Sequence, residues 1–215
     1  MKLSAKEKET VVLIHGLWLS GWGLAWLARR LRRAGYAVRV YSYPSTRLDL
    51  RVNAELLNRY LRACAADTVH LVGHSLGGVL IRALFHYYPD QKPGCIVTLA
   101  APHGGSVVAR RLARSALGRR LLGRCVLQFL RGVPRTWAPP ARALGVVSGG
   151  LAFGLGRLFH PGLPRPNDGV LTAAESTMPG ATDQITLPVA HSGMLFAPAA
   201  ARQVRHFLAA GRFAR

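Results

Sequence analysis

The residues with the clearest chemical meaning surround a serine that lies between glycines. Ser75 follows a short apolar run at 69–72 and precedes an apolar stretch at 79–88, which predicts a buried strand, a sharp turn and a buried helix. The flanking glycines let two pieces of backbone pass close to Ser75, so its hydroxyl can stand exposed in a strained turn. The amide of Leu76 is predicted at the start of the helix, where unpaired N–H groups favour a negative oxygen. The pattern indicates a nucleophile, although a plain tight turn would use the same residue types.

This predicted strand, turn and helix resemble the nucleophile elbow of the α/β-hydrolase family, in its G-x-S-x-G form. Further motifs along the chain are similar to those of small bacterial lipases and esterases with that fold. The motifs are HGLW at 15–18, GHSLGG at 73–78, APHGGS at 101–106, NDGV at 167–170 and HSG at 191–193. The resemblance spans nearly the whole chain and implies a serine hydrolase whose catalytic residues follow the order Ser, Asp or Glu, His.

A serine hydroxyl is too weakly acidic to attack a carbonyl at neutral pH. It needs a base within hydrogen-bond reach and a third group that orients this base. Ser75, Asp168 and His191 meet the order that the resemblance implies. By the same resemblance, the backbone N–H groups of Leu17 and Leu76 form the oxyanion hole. These five residues are the predicted catalytic set.

The alternatives for the acid are few, because the chain has only 9 acidic residues. Downstream of the serine, Asp90 is predicted at the end of the helix that follows it, remote from the carboxyl edge of the sheet. Glu175 is predicted at the start of a later helix or within it, and Asp183 precedes a strand and so lies at the wrong end. Asp168 follows a strand and its loop, so we interpret it as the acid.

The alternatives for the base are excluded by position. His160 precedes the acid in the chain, His86 is predicted on the helix after the serine, and His206 is predicted on the polar face of the last helix. His191 comes directly after the last predicted strand, where the resemblance places a catalytic histidine. An ordinary loop histidine is the alternative reading of this position.

Four side chains near the predicted turns are candidates to line a substrate pocket. Trp18 could line the pocket or fill the core. His103 has no acidic neighbour and follows the serine too soon to be the base, so a positioning or substrate-lining role is favoured. Phe153 belongs to a glycine-rich apolar loop at 149–159 that suits an acyl pocket, or is a simple connection. The fourth candidate is His74.

The elements that must position these residues alternate between strands and helices. Such alternation predicts a parallel sheet with helices on both faces. We therefore expect an α/β fold in a single domain over residues 1–215, namely a minimal α/β-hydrolase fold with about six mostly parallel strands. The predicted strands are 10–14, 36–41, 69–72, 94–100, 143–148 and 184–187, and the predicted helices include 24–31, 48–63, 79–88 and one from Pro198.

Residues 107–142 interrupt this alternation with a run in which arginines and leucines are interleaved. We expect a helical insertion here, which in the resembled family is a cap or lid over the catalytic serine. A cationic amphipathic lid could touch an anionic lipid surface. An ordinary packed helical pair with a solvated face fits the pattern equally well.

The charge of the chain is strongly positive, at +20, from 29 basic and 9 acidic residues. This charge fits an anionic membrane surface better than nucleic acid, or it reflects a composition that uses arginine widely. The 3 cysteines lack metal-ligand or redox spacing. Because the opening residues MKLSAKEKET are polar, we expect no signal segment and a cytoplasmic location, with peripheral contact at the inner membrane face as an option.

The predicted function is hydrolysis of carboxylic acyl esters, as in a lipase or esterase, through an acyl-serine intermediate. No metal or organic cofactor is expected, because the scarce carboxylates leave little material for a calcium site. A thioesterase or a lipid deacylase would use the same triad. A basic module of this fold that binds a membrane or nucleic acid is the alternative outside enzymes, and the sequence leaves the oligomeric state open.

Overall fold

A parallel sheet is the frame of the molecule in the computed structural model, which describes residues 9–132, 137–154 and 156–215. Its strands are β1 Glu9–Ile14, β2 Ala37–Tyr41, β3 Thr68–His74, β4 Ile96–Leu99, β5 Leu144–Gly149 and β6 Asp183–Leu187. Within the described residues these six strands form one sheet in the order β2-β1-β3-β4-β5-β6, and all neighbouring strands are parallel.

Helices connect these strands and cover the sheet. They are α1 Ala25–Arg33, α2 Leu50–Arg62, α3 Leu76–Tyr87, α4 Val107–Leu112, α5 Ala116–Leu130, α6 Gly156–Phe159, α7 Ala173–Ser176 and α8 Pro198–Ala210. Short 3₁₀ turns occur at Gly21–Leu24 and Ser192–Leu195. No helix in the described part of the chain is both long enough and apolar enough to cross a membrane.

The core lies on both faces of the sheet because successive strand residues point to opposite sides. In β1, Val12 and Ile14 pack into the cluster formed with α2, α3 and α5. The alternating residues Val11 and Leu13 pack into the cluster formed with α1 and α8. The central strands are therefore apolar on both faces, as expected for a covered parallel sheet.

The predicted α/β architecture and its six parallel strands are confirmed. Helices α4 and α5 lie between β4 and β5, in the segment 107–142 where an insertion is predicted. Residues 133–136 of this segment fall outside the described part of the chain. Helix α5 is interrupted at Gly123, whose φ is 71°. This glycine passes so close to Thr46 that an added Cβ would lie 2.3 Å from the Thr46 carbonyl oxygen.

Candidate active site

Ser75 occupies a strained turn between β3 and α3. Its φ of 52° and ψ of −120° are rarely adopted by a residue with a side chain. The backbone N–H of Ser75 donates to the Leu99 carbonyl at 2.8 Å, which fixes the turn against β4. Only glycine fits at position 77, since an added Cβ would lie 2.4 Å from the Ile14 carbonyl oxygen. The flanking glycines thus permit the conformation that presents the Ser75 hydroxyl.

The structure brings Ser75, His191 and Asp168 into one hydrogen-bonded chain. Nε2 of His191 lies 3.1 Å from Oγ of Ser75. Nδ1 of the same ring lies 2.7 Å from Oδ2 of Asp168. Asp168 is 1% exposed and His191 is 8% exposed, so the pair is shielded from water. The arrangement allows the serine proton to pass to an imidazole whose orientation a carboxylate fixes.

Backbone groups hold the Asp168 carboxylate in place. Its Oδ1 accepts hydrogen bonds from the N–H groups of Val170 at 2.9 Å and Leu171 at 2.7 Å. The Asp168 carbonyl also accepts from the backbone N–H of His191 at 2.9 Å, which ties the acid and base loops together. Because Oδ1 is occupied by the two amides, Oδ2 is the oxygen that faces the imidazole.

Gly149, the last residue of β5, makes room for Asp168. An added Cβ at Gly149 would lie 2.5 Å from the Val189 carbonyl oxygen and 2.6 Å from Cβ of Asp168. At the neighbouring Gly150 the nearest atom, Cγ2 of Thr186, would be 3.3 Å away. An added methyl group is therefore excluded by backbone at Gly149, whereas at Gly150 it needs only a small shift of the Thr186 side chain.

We expect Gly149→Ala to destabilise the protein by about 1 to 3 kcal/mol, because the added methyl group must displace Asp168 or the backbone at Val189. Thermal unfolding would show this as a melting temperature several degrees lower. Gly150→Ala is the matched control and should leave the melting temperature close to that of the unmodified protein. Equal melting temperatures for both variants would contradict the close packing at Gly149.

Two backbone amides lie beside the serine. Leu76 is the first residue of α3, so its N–H has no partner within the helix. Leu17 follows β1, and Leu17, Ser75 and Leu76 line one cavity. His15 fixes the turn before Leu17, because Nδ1 of its ring is 2.8 Å from the Gly16 carbonyl and Nε2 accepts from the backbone N–H of Tyr43. Both residues predicted to form the oxyanion hole therefore border the cavity at Ser75, and the role of their N–H groups stays a prediction.

The cavity beside Ser75 has a volume of about 150 Å³ and an apolar wall. Among the described residues, no charged side chain lines it. Much of the wall comes from α4 and α5, through Val108, Leu112, Leu122, Val126 and Phe129. The site therefore combines a polar reaction centre with an apolar compartment, which suits a substrate with an apolar group next to the bond that reacts.

The amino-acid sequence matches the Alpha/beta hydrolase family over residues 11–213. The chain belongs to this family. A relative from Nicotiana tabacum, salicylic acid-binding protein 2, is 36% identical over 106 residues, which cover 45% of this chain and 40% of that protein. The alignment with this relative thus spans less than half of either protein.

Solved structures share the fold of this alpha/beta hydrolase. The Bacillus licheniformis lipase BlEst2 superposes with a TM-score of 0.74 at 21% identity, covering 89% of this chain and 88% of the lipase. The metagenomic carboxyl esterase MGS0156 superposes with a TM-score of 0.68 at 19% identity, covering 88% of this chain and 66% of the esterase. At these identities the comparison shows the fold and leaves the substrate open.

Three of the four predicted pocket residues lie away from the cavity. Trp18 does line it, and its indole Nε1–H donates to the Leu121 carbonyl at 2.8 Å. Phe153 is 73% exposed and is not among the residues that line the cavity, so the structure gives its predicted place in an acyl pocket no support. The loop at 149–159 reaches the cavity instead through α6 at its end, where Phe159 contributes.

His74 is buried behind the catalytic histidine and does not line the cavity. Its Nε2–H donates to the backbone carbonyl of His191 at 3.1 Å, and the two rings are 5.0 Å apart. Burial, with the neighbouring charge of His191 as a smaller cause, lowers the pKa of His74 to about 3. His74 therefore stays neutral and supports the loop that carries the base, which corrects its predicted place in the pocket.

His103 is also buried rather than substrate-lining. Its Nε2 lies 2.9 Å from Oγ1 of Thr98, and its backbone carbonyl accepts from Arg82. Burial first, and the positive charge of Arg82 second, lower the pKa of His103 to about 3. Of the two roles considered for this histidine, the structure favours positioning of the turn that follows β4.

Glu175 has a structural role that the sequence did not reveal. Its Oε1 accepts from the N–H of Val107 at 2.6 Å, at the first residue of α4. Its Oε2 accepts from the backbone N–H and the hydroxyl of Thr172, in the loop that carries the acid. Glu175 thus joins the start of the helical insertion to the Asp168 loop. A capping-box pattern at 172–175 was the available sequence signal.

Proposed function

We propose that this protein cleaves carboxylic acyl esters through an acyl-serine intermediate. The proposal is carried by the hydrogen-bonded chain in which the Ser75 hydroxyl is 3.1 Å from His191, whose ring is 2.7 Å from Asp168. Membership of the alpha/beta hydrolase family and the fold shared with a lipase and a carboxyl esterase support it. The apolar cavity beside the serine is suited to an acyl chain.

In the first half of the reaction, Nε2 of His191 accepts the proton of the Ser75 hydroxyl while Oγ attacks the ester carbonyl carbon. The carbonyl oxygen becomes an oxyanion, which the N–H groups of Leu17 and Leu76 stabilise. Asp168 stabilises the imidazolium that forms and keeps its orientation. When the tetrahedral intermediate collapses, the bond to the alcohol oxygen breaks and His191 returns the proton to the leaving alcohol.

In the second half, water enters as the nucleophile. His191 accepts a proton from this water, whose oxygen attacks the acyl-serine carbonyl, and the same two amides hold the oxyanion. The bond between the acyl carbon and Oγ then breaks, His191 protonates Oγ, and the carboxylic acid leaves. Every proton transfer uses residues of this chain, so the mechanism requires no metal or organic cofactor.

The helical insertion acts as a cap in this proposal. Helices α4 and α5 supply Leu112, Leu122, Val126 and Phe129 to the cavity wall, so an apolar acyl chain would pack against them. The charged face of the helices points to solvent. A thioester fits the same steps with a thiol as the leaving group, and parallel turnover of short esters, long esters and a thioester would rank these substrates.

Labelling with a fluorophosphonate probe, followed by peptide mapping, tests the proposal directly. Such a probe phosphonylates a serine only when a base and an oxyanion hole activate it, so we expect label on the peptide that contains Ser75. Heat-unfolded protein should remain unlabelled, since the activation depends on the fold. Label on a different serine, or equal labelling of the unfolded chain, would contradict the assignment of Ser75.

A further inference from the structure

Exposed apolar side chains lie on the elements that border the cavity. Leu117 is 68% exposed, Leu158 is 75% exposed and Trp18 is 59% exposed. Trp18 is bonded to the Leu121 carbonyl, and Leu121 lies one helical turn after Leu117 on α5. Phe159, next to Leu158 on α6, lines the same cavity as Trp18. We call these five residues the apolar rim.

The helices that carry most of the apolar rim are also rich in arginine and contain no acidic residue. No acidic residue occurs between Asp90 and Asp168, a segment that contains α4, α5 and α6. The exposed arginines of α4 and α5 and the turns that follow them form what we call the cationic flank. They are Arg110, Arg111, Arg114, Arg119, Arg120, Arg124 and Arg131.

We propose that the apolar rim and the cationic flank together bind the surface of an anionic lipid bilayer, with the mouth of the cavity facing the lipid. Leucine, tryptophan and phenylalanine side chains enter the boundary between headgroups and acyl chains, while arginines pair with anionic headgroups. The binding step is independent of the proposed ester cleavage. If both hold, an ester in the bilayer reaches Ser75 without crossing water.

The apolar rim is what favours a membrane over nucleic acid. A phosphate backbone would attract the same arginines, but exposed leucines gain little from contact with a hydrated polyanion. Burial of apolar surface in a bilayer is favourable in proportion to the area removed from water. Helices α4, α5 and α6, which border the cavity, and the turns next to them carry nearly all of the apolar rim and the whole cationic flank, and the combination matches an anionic membrane.

Flotation of the full chain with lipid vesicles tests this binding. The Ser75→Ala protein is used so that no ester turnover occurs, and the vesicles are phosphatidylcholine with or without phosphatidylglycerol. We expect at least about tenfold tighter binding to the anionic vesicles, weakened by salt. Arg114→Gln with Arg120→Gln should reduce the affinity about tenfold or more, since each arginine near such a surface contributes substantially.

Matched variants distinguish binding by the proposed surface from simple attraction by the net charge of the protein. Arg202→Gln with Arg205→Gln removes the same charge from exposed positions of α8, which covers the opposite face of the sheet, and should leave binding nearly unchanged. Leu117→Ser with Leu158→Ser should weaken vesicle binding about tenfold, whereas Leu117→Met with Leu158→Met should retain it. Both leucines are largely exposed, so these variants should fold.

Three outcomes would overturn the proposal. The first is an equal loss of vesicle binding for the Arg114/Arg120 pair and the Arg202/Arg205 pair, which would mean that only total charge matters. The second is unchanged binding after Leu117→Ser with Leu158→Ser. The third is tighter binding to duplex DNA than to anionic vesicles, which would assign the cationic flank to nucleic acid. Since these assays measure binding alone, their failure would leave the proposed ester cleavage standing.

Discussion

Ser75→Ala is expected to lower kcat for ester cleavage by roughly 10⁵-fold to 10⁶-fold, as the loss of a nucleophile does in a serine hydrolase. The reason is that no other hydroxyl among the described residues is bonded to the His191 ring. The Ser75 side chain has no other hydrogen bond in the described structure, so its removal should leave the melting temperature within a few degrees. Turnover of a chromogenic ester, measured alongside thermal unfolding, would check both expectations.

Ser192→Ala is a suitable control for this experiment. Ser192 is exposed and immediately follows the proposed base, so the substitution tests whether any hydroxyl near the imidazole suffices. We expect kcat to remain within about twofold of the unmodified protein, because a surface change without a lost partner has little effect. Ester turnover that persists in a correctly folded Ser75→Ala protein would contradict the acyl-serine mechanism.

Asp168→Asn is expected to lower kcat by about 10⁴-fold, although the shape of the side chain is nearly unchanged. The N–H groups of Val170 and Leu171 both donate to Oδ1, so they hold the amide oxygen of an asparagine at that position. The amide nitrogen then faces Nδ1 of His191 and donates to it. This places the imidazole proton on Nε2, so the ring can no longer accept the proton of Ser75.

The control for this substitution is Asp90→Asn, at an exposed carboxylate that follows α3. It removes the same charge but should leave kcat unchanged, because Asp90 makes no contact with the triad. Proton NMR of the Nδ1–H of His191, in the bond of 2.7 Å to Asp168, gives an independent readout. Its signal should be present in Asp90→Asn and lost in Asp168→Asn. A kcat within about tenfold of the unmodified protein for Asp168→Asn would refute the orienting role.

The sequence by itself determined the order and type of the main elements. Short apolar runs such as 10–14 and 69–72 predict buried strands. Their alternation with amphipathic helices predicts a parallel sheet. Glycines around Ser75 indicated the serine. The residue order implied by the resemblance to α/β-hydrolases, together with the small number of acids, then indicated Asp168 and His191. The structure places their side chains in one hydrogen-bonded chain, and their catalytic roles stay a prediction for the experiments above.

Only the tertiary structure decided which side chains face the cavity. His74, His103 and Phe153 come from the predicted turns, yet the two histidines are buried against other parts of the chain and Phe153 is largely exposed. A substantial part of the cavity wall comes from α4 and α5, far from Ser75 in sequence. The direction of a loop side chain depends on packing between elements that are distant along the chain, and local sequence patterns do not encode this packing.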